Sequence, residues 1–326
     1  MSGRRYARSL VMIAALGAAA LGAAVLPACG GTAPSQPATP GASGGPSAGR
    51  SASPSASPSA PDASAAALLA RPGTGRPLFP HPAVVDNPMF PLLPGTRFSY
   101  RGTLVEGGSA APHTVVFTVT DLTKVIAGVR TVVALDQDFL GGRLQEAELA
   151  FFAQDAGGNV WNFGEYPEEY ARGRFTGAPD TWITGTGGAH GGLHMLARPV
   201  AGQRYGEGLV PAIEFDDISR VVSTGRETCQ ASACLRRVLM VDEWSPNDPA
   251  GGHQIKFYAP GVGLVRVGAR GGDSREYLRL AAVTHLTGPA MARVRAAAEA
   301  MDRRGHRVSP VYRVTPAVGY LASPIR

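Results

Sequence analysis

Between Gln145 and Glu165 the chain reads QEAELAFFAQDAGGNVWNFGE, two runs rich in apolar and aromatic residues on either side of Ala156-Gly157-Gly158-Asn159. Glycine and asparagine accept the positive φ of a tight turn, and the flanking rings suit a half-buried pleated surface. The segment therefore predicts a β-hairpin, the central one of a β-rich domain. The next stretch, Pro167 to Pro199, is glycine-rich and has no regular period. It reads as a structured loop over one end of the sheet, and as the first place to look for a site.

The rest of the body repeats this pattern. Strand-like runs cover Arg97 to Val105, His113 to Thr120, Lys124 to Asp136, Arg143 to Gln154 and Gly158 to Gly164, and later Ile218 to Ser223, Leu235 to Trp244, His253 to Tyr258, Val262 to Val267 and Tyr277 to Leu286. Ala259-Pro260-Gly261-Val262 supplies a second hairpin turn, with Pro fixing φ at one corner and Gly supplying positive φ at the next. Prolines at 77, 80, 82, 88, 91 and 94 keep the segment before the first strand extended. One convincing helix comes late: Pro289 opens it, and Met291, Val294, Ala298 and Met301 share a face, with Gly305, Pro310 and Pro316 ending helical structure. The fold class expected is mainly β, an antiparallel sheet, barrel or half-barrel with one C-terminal helix.

The N-terminal quarter is different in kind. Arg4, Arg5 and Arg8, an apolar run from Leu10 to Val25, and then Leu26-Pro27-Ala28-Cys29 resemble the secretory signal and lipobox of bacterial lipoproteins. The run is short and rich in Ala and Gly for a permanent span. The resemblance implies cleavage before Cys29, acylation of its sulfur, and a mature protein lipid-anchored to the cell membrane on its extracytoplasmic side. Ser, Pro, Ala, Gly and Thr dominate the residues after Cys29, which cannot bury enough apolar surface to fold and read as a tether. A GxSxG string at Gly41 to Gly45 lies inside it, with neither the strand nor the helix that a nucleophile elbow needs. The expected organisation is 1–28 signal, 29–77 tether, 78–288 β-rich domain, and 289–326 helix and basic tail.

Charge and cysteine use fit export. Of the formal net charge of +6, the leader arginines hold +3 and the residues after Gly288 hold +5, which leaves −2 on the remainder. The body carries no nucleic-acid footprint. With Cys29 assigned to lipid, Cys229 and Cys234 are an even pair in an oxidising compartment and are expected to form a disulfide.

Three further strings, PLLPGTRFSY from Pro91, AQDAGGNVWNFGE from Ala153 and KFYAPGVGLV from Lys256, resemble the signatures of a largely uncharacterised family of exported bacterial proteins. The resemblance implies a β-rich exported domain similar to the half-barrels of lipoprotein carriers. It brings no catalytic residues.

Candidate chemistry concentrates around the glycine-rich stretch. Trp161, Phe163, Tyr166 and Trp182 are the expected walls of a ligand cleft for an apolar or amphipathic molecule. His190 and His194, close to Met195, are the candidate metal ligands, although four neighbouring glycines deny them a helix face. Asp155 and Asn159 lack the further carboxylates of a calcium loop and read as a turn. Glu165, Glu168, Glu169, Asp180, Asp216 and Asp217 supply carboxylates for acid–base work if any two converge. No catalytic constellation is visible and no cofactor is implied. The expectation is a non-catalytic anchored lipoprotein whose partners are the membrane, through Cys29, and an apolar small molecule or an envelope component. The alternative is an envelope hydrolase or metal-dependent enzyme using residues 165–195.

Overall fold

The computed structural model describes residues 77–230 and 233–321. The signal segment, Cys29 and the tether as far as residue 76 lie outside them. The described strands are β1 (Thr96–Glu106), β2 (Ser109–Ile126), β3 (Val129–Leu140), β4 (Arg143–Gln154), β5 (Val160–Ala171), β6 (Arg174–Gly177), β7 (Trp182–Ile183), β8 (His190–Met195), β9 (Arg204–Val210), β10 (Phe215–Gln230), β11 (Ala233–Trp244), β12 (His253–Ala259), β13 (Gly263–Arg270), β14 (Ser274–His285) and β15 (Gly319–Tyr320). Twelve of them, all but β6, β7 and β15, close into one antiparallel barrel, because β1 pairs with β2 on one side and with β14 on the other. At that seam a Cβ on Gly102 would collide with the Tyr277 carbonyl, so the two strands meet at this spacing only with glycine there.

Both expected hairpins are present. The turn between β4 and β5 is held by Asp155, whose Oδ1 accepts from the amides of Gly157 and Asn159, while Gly158 takes φ +85°. The β12–β13 turn has Gly261 at φ +75°. The stretch from Pro167 to Pro199 is not a loop throughout: it finishes β5 and contributes β6, β7 and β8. These pieces are two to six residues long after β5, and their glycines serve close strand packing. A Cβ on Gly192, for example, would lie 2.4 Å from the Glu207 carbonyl carbon.

Eight strands enclose a space that side chains alone can fill, and twelve enclose more. Here the segment before β1 fills one end. Val85, Phe90 and Leu92 enter the interior cluster with Phe98, Phe117, Phe152, Leu239 and Leu264. The Phe90 ring lies 5.3 Å from Phe152 and 4.3 Å from His194. Asn87, 2% exposed, pins this stopper: its amide donates to the carbonyls of Gly158 and Leu196, and its oxygen accepts from the Met89 amide.

A second apolar layer lies outside the barrel. Val133, Leu135, Leu149, Phe151, Phe163 and Tyr166 point outward from β3, β4 and β5 and are covered by helix α1 (Gly288–Val308), which packs Val294, Ala298 and Met301 against them. Each Val, Leu, Phe or Met side chain there contributes about 1.5–3 kcal/mol when fully buried. The helix runs through Gly305 and is followed by a short α2 (Pro310–Arg313), where an end at Gly305 was expected. Glycine at that position serves packing, since a Cβ there would meet the Tyr312 ring at 2.7 Å. Three ion pairs fasten α1: Arg295 with Asp121, Arg304 with Glu168 at 2.6 Å, and Lys124 with Asp302 at 2.7 Å. Among the described residues no helix is long and apolar enough to cross a membrane.

Candidate functional site

Strand alternation decides what faces the barrel interior. On β3, Val132 and Ala134 belong to the interior apolar cluster, so Asp136 and Asp138 face the same way. On β4, Ala150 and Phe152 fix the direction of Glu146 and Glu148 in the same manner. Glu165 on β5, Glu207 on β9, Asp217 on β10, Glu243 on β11 and Glu276 on β14 complete a set of nine carboxyl groups, none more than 7% exposed. His113 on β2 and Lys256 on β12 are the cations set among them. The end of the lumen away from the stopper is therefore acidic.

The contacts within this acidic belt fall into separate groups. His113 Nε2 is 2.6 Å from Asp138 and its Nδ1 is 3.1 Å from Glu276. Lys256 donates to Glu243 at 2.6 Å, and the Ser219 hydroxyl donates to Glu207. Glu165 accepts from the Asn162 amide at 2.5 Å and from the Trp182 indole N–H at 2.9 Å. Asp136 accepts from the Gln137 amide through one oxygen, while its other oxygen has no hydrogen-bond partner. Neither oxygen of Glu148 has one.

Burial and mutual repulsion set the protonation. Desolvation, with the Asp138 charge behind it, raises Asp136 to about 8. Glu148 is pushed well above the usual carboxylate range by burial and by Glu165, Glu146 and Asp136. Burial raises Glu165 to about 7, against the opposing hydrogen bonds from Trp182 and Asn162. Burial works against a charge on His113, but its hydrogen bonds to Asp138 and Glu276 and their charges outweigh this and hold it at about 10, so the imidazole is a cation at neutral pH. Burial likewise opposes the charge on Lys256, and Glu243 with Glu207 more than restores it.

At the open end lies a cavity of about 60 Å³ whose walls include Leu104, Glu243, Trp244, Ser245, Ala269 and Glu276. Of the inward acidic residues, Asp217, Glu243 and Glu276 line it. A smaller space of about 20 Å³ remains at the stoppered end, among Phe90, Phe98, Phe117 and Leu264.

The residues singled out from sequence are dispersed. Phe163 and Tyr166 are buried in the outer layer beneath α1, and Trp161 packs beside them against Phe79, its N–H donating to Asp155. Trp182 stands opposite Glu165 in the strand register and so shares its face, and reaches the belt through that hydrogen bond. None of the four lines either cavity. His190 is exposed, while His194 is buried against Phe90 and Phe152 and held neutral, with burial lowering its pKa to about 3. The two do not share one environment. Cys229 and Cys234 are joined across the exposed tip of the β10–β11 hairpin. Among the described residues, one set of three side chains has ligand atoms close enough to share a metal ion, namely Glu227 with these two cysteines, whose sulfurs are bonded to each other.

Of the acidic candidates, Glu165 and Asp217 join the belt, whereas Glu168 faces α1 and pairs with Arg304. Asp136, Asp138, Glu146, Glu148, Glu207, Glu243 and Glu276 are additions from the structure. Their sequence signal is the alternation itself, Asp-Gln-Asp at 136–138 and Glu-Ala-Glu at 146–148.

No family model and no curated protein matches the chain. Among solved structures it is similar to a candidate exported protein with a YmcC-like fold from Bacteroides fragilis, at 13% identity over 60% of this chain and 98% of that one, with a TM-score of 0.36. It is also similar to a candidate lipoprotein from Parabacteroides distasonis, at 12% identity over the same shares, with a TM-score of 0.28.

Proposed function

We propose that this chain is an exported lipoprotein, anchored to the cell membrane through Cys29, whose barrel lumen is a chamber for one small polar or amphipathic ligand. The observation that carries the reading is the asymmetry of the lumen: apolar and stoppered at one end by Phe90 and Leu92, ionisable and open at the other. Ionisable groups are costly to bury, and a purely structural barrel interior is more stable with apolar packing. Room for a wholly apolar ligand has been taken by the stopper, so the free space favours a polar one. The support for export and anchoring is the N-terminal sequence. Native mass spectrometry on protein extracted from its own membrane tests the chamber. A small molecule held one to one and released on acidification is expected, and a protein that carries nothing and responds to no added compound ends the reading.

A second reading has one observation in its favour. Glu165 is buried and held at about 7, suited to accept and return a proton near neutral pH. In that reading the chamber hydrolyses its ligand. Glu165→Gln then abolishes turnover while keeping the ligand bound; unchanged turnover removes the reading.

A further inference from the structure

We infer that the outer face of β13, β14 and β1 is a docking surface for an anionic lipid bilayer. The inference concerns the outside of the barrel and stands whether or not the lumen holds a ligand.

The strand register sets like charges side by side on this face. Arg101 on β1 is the lateral partner of Arg279 on β14, and Arg279 is in turn the partner of Arg266 on β13. Residues opposed in this way leave the same face of a sheet with Cβ atoms about 4.5–5.5 Å apart, and like charges so placed destabilise the pairing. Alternation makes that face the outer one. Tyr100 and Leu278 belong to the interior cluster, and Arg101 and Arg279 beside them are exposed. Arg275 and Tyr277 continue the outward parity along β14. The acids of these strands bring no relief, because Glu106 and Glu276 share the parity of Leu104 and Leu278, which are buried inward. Among the described residues Arg101, Arg275 and Arg279 have no carboxylate partner, and Arg266 lies over the Phe257 ring at 4.9 Å. The formal charge of −2 on the body conceals this face, since nine of its carboxyl groups are gathered in the lumen.

A row of guanidinium groups without counter-charges of its own is complementary to a surface dense in anions. Two features favour a bilayer over a soluble polyanion. Tyr277, 39% exposed, stands between Arg275 and Arg279 on the same strand face, and a ring with a polar tip suits the level of lipid headgroups. The second is openness: α1 covers the outer side of β3, β4 and β5 and leaves these arginines bare. Several cations on one exposed barrel wall can meet a flat sheet of phosphates together, and their contributions multiply.

The test uses the full chain carrying Cys29→Ala, so that no acyl group holds it to a membrane. Its binding is measured by co-sedimentation with vesicles of phosphatidylcholine alone and of phosphatidylcholine mixed equally with phosphatidylglycerol. At low salt the mixed vesicles bind about a hundredfold more tightly, and high salt closes that gap. Arg101→Gln with Arg279→Gln narrows the gap about thirtyfold, at about fivefold for each cation near an anionic surface. Arg293→Gln with Arg307→Gln removes the same charge from the exposed side of α1 and leaves the gap nearly unchanged. Equal binding to both vesicles overturns the inference, as does an equal loss in the two double variants. Inorganic polyphosphate held by the parent and released by Arg101→Gln with Arg279→Gln, while mixed vesicles are ignored, assigns the face to a soluble polyanion and overturns the bilayer. A second measurement needs no vesicles. Arg279→Gln relieves a charge flanked by two others, so the melting temperature rises at low salt and the gain disappears at high salt. A fall at low salt would show that a partner within the chain already holds Arg279, and the docking surface would be lost.

Discussion

Lys124 and Asp302 are 178 residues apart in the chain and 2.7 Å apart in space, and both are sealed from water between the barrel wall and the helix that covers it. Around them the Lys124 ammonium also donates to the Pro316 carbonyl and stands 4.1 Å from the centre of the Tyr312 ring, whose hydroxyl donates to Asp302. Burial drags the lysine pKa down and Asp302 opposes it. A charge in such a place is tolerated only while its partner remains.

Removing one member should therefore hurt more than removing both. Asp302→Ala is expected to lose about 3–5 kcal/mol, and Lys124→Met with Asp302→Leu to recover most of it. Urea unfolding of the two variants checks this. A single variant as stable as the parent would show that the pair does not hold the helix.

The belt predicts a direction for pH. Asp136 titrates at about 8 in the barrel against 3.8 when unperturbed, raised by burial and by Asp138, with Glu276 and His113 also facing it and Glu148 close by on β4. A raised pKa stabilises the fold fully below the lower value and ceases to do so as pH climbs through the higher one. Its contribution fades between about pH 4 and 8. His113, raised from 6.5 to about 10, loses its own contribution over that later range, so the two act in the same sense. The melting temperature should fall from pH 5 to pH 9, and Asp136→Asn should flatten the lower part of that fall. A melting temperature that rises across this interval would contradict the assignment.

Trp182 has a role that a fold measurement alone misses. Its N–H lowers the Glu165 pKa, which burial has raised to about 7. Trp182→Phe keeps an aromatic ring and deletes the donor, so the Glu165 carboxyl should titrate above 7. Carbon NMR of labelled glutamate reads that shift, and a titration that stays in place or moves down refutes the assignment.

The proposed anchor is tested at Cys29. Cys29→Ala should leave the protein unprocessed or released from the membrane fraction, and a variant that is normally cleaved and still membrane-bound removes lipidation at that residue.

How much could be read in advance differs between the two faces of each strand. The period of two in β3 and β4 is plain from sequence, and so were the hairpins and the apolar face of α1. Alternation states that a strand has two faces and does not say which one meets water. Val133, Leu135, Leu149 and Phe151 suggest a core, and they do form one, but outside the barrel under α1. Asp136, Asp138, Glu146 and Glu148 look like solvent-facing residues and point into the lumen. Trp161, Phe163 and Tyr166 belong to that same outer layer, and a cleft drawn around them follows the aromatic residues away from the charged interior. Closure was out of reach for another reason: β1 and β14 meet through a register joining Thr96 to His285, and no local pattern encodes so distant a pairing.

That seam also imposes an order of events on a chain that is synthesised N-terminus first. β2 and β3, or β4 and β5, are neighbours in sequence and can pair as they emerge. β1 has one edge satisfied by β2 and must keep the other bare until β14 has been made, after nearly all of the barrel. Loop closure over such a span comes late and slowly. Throughout that interval the bare edge of β1 is the place where a chaperone, or a second copy of the chain, competes with β14.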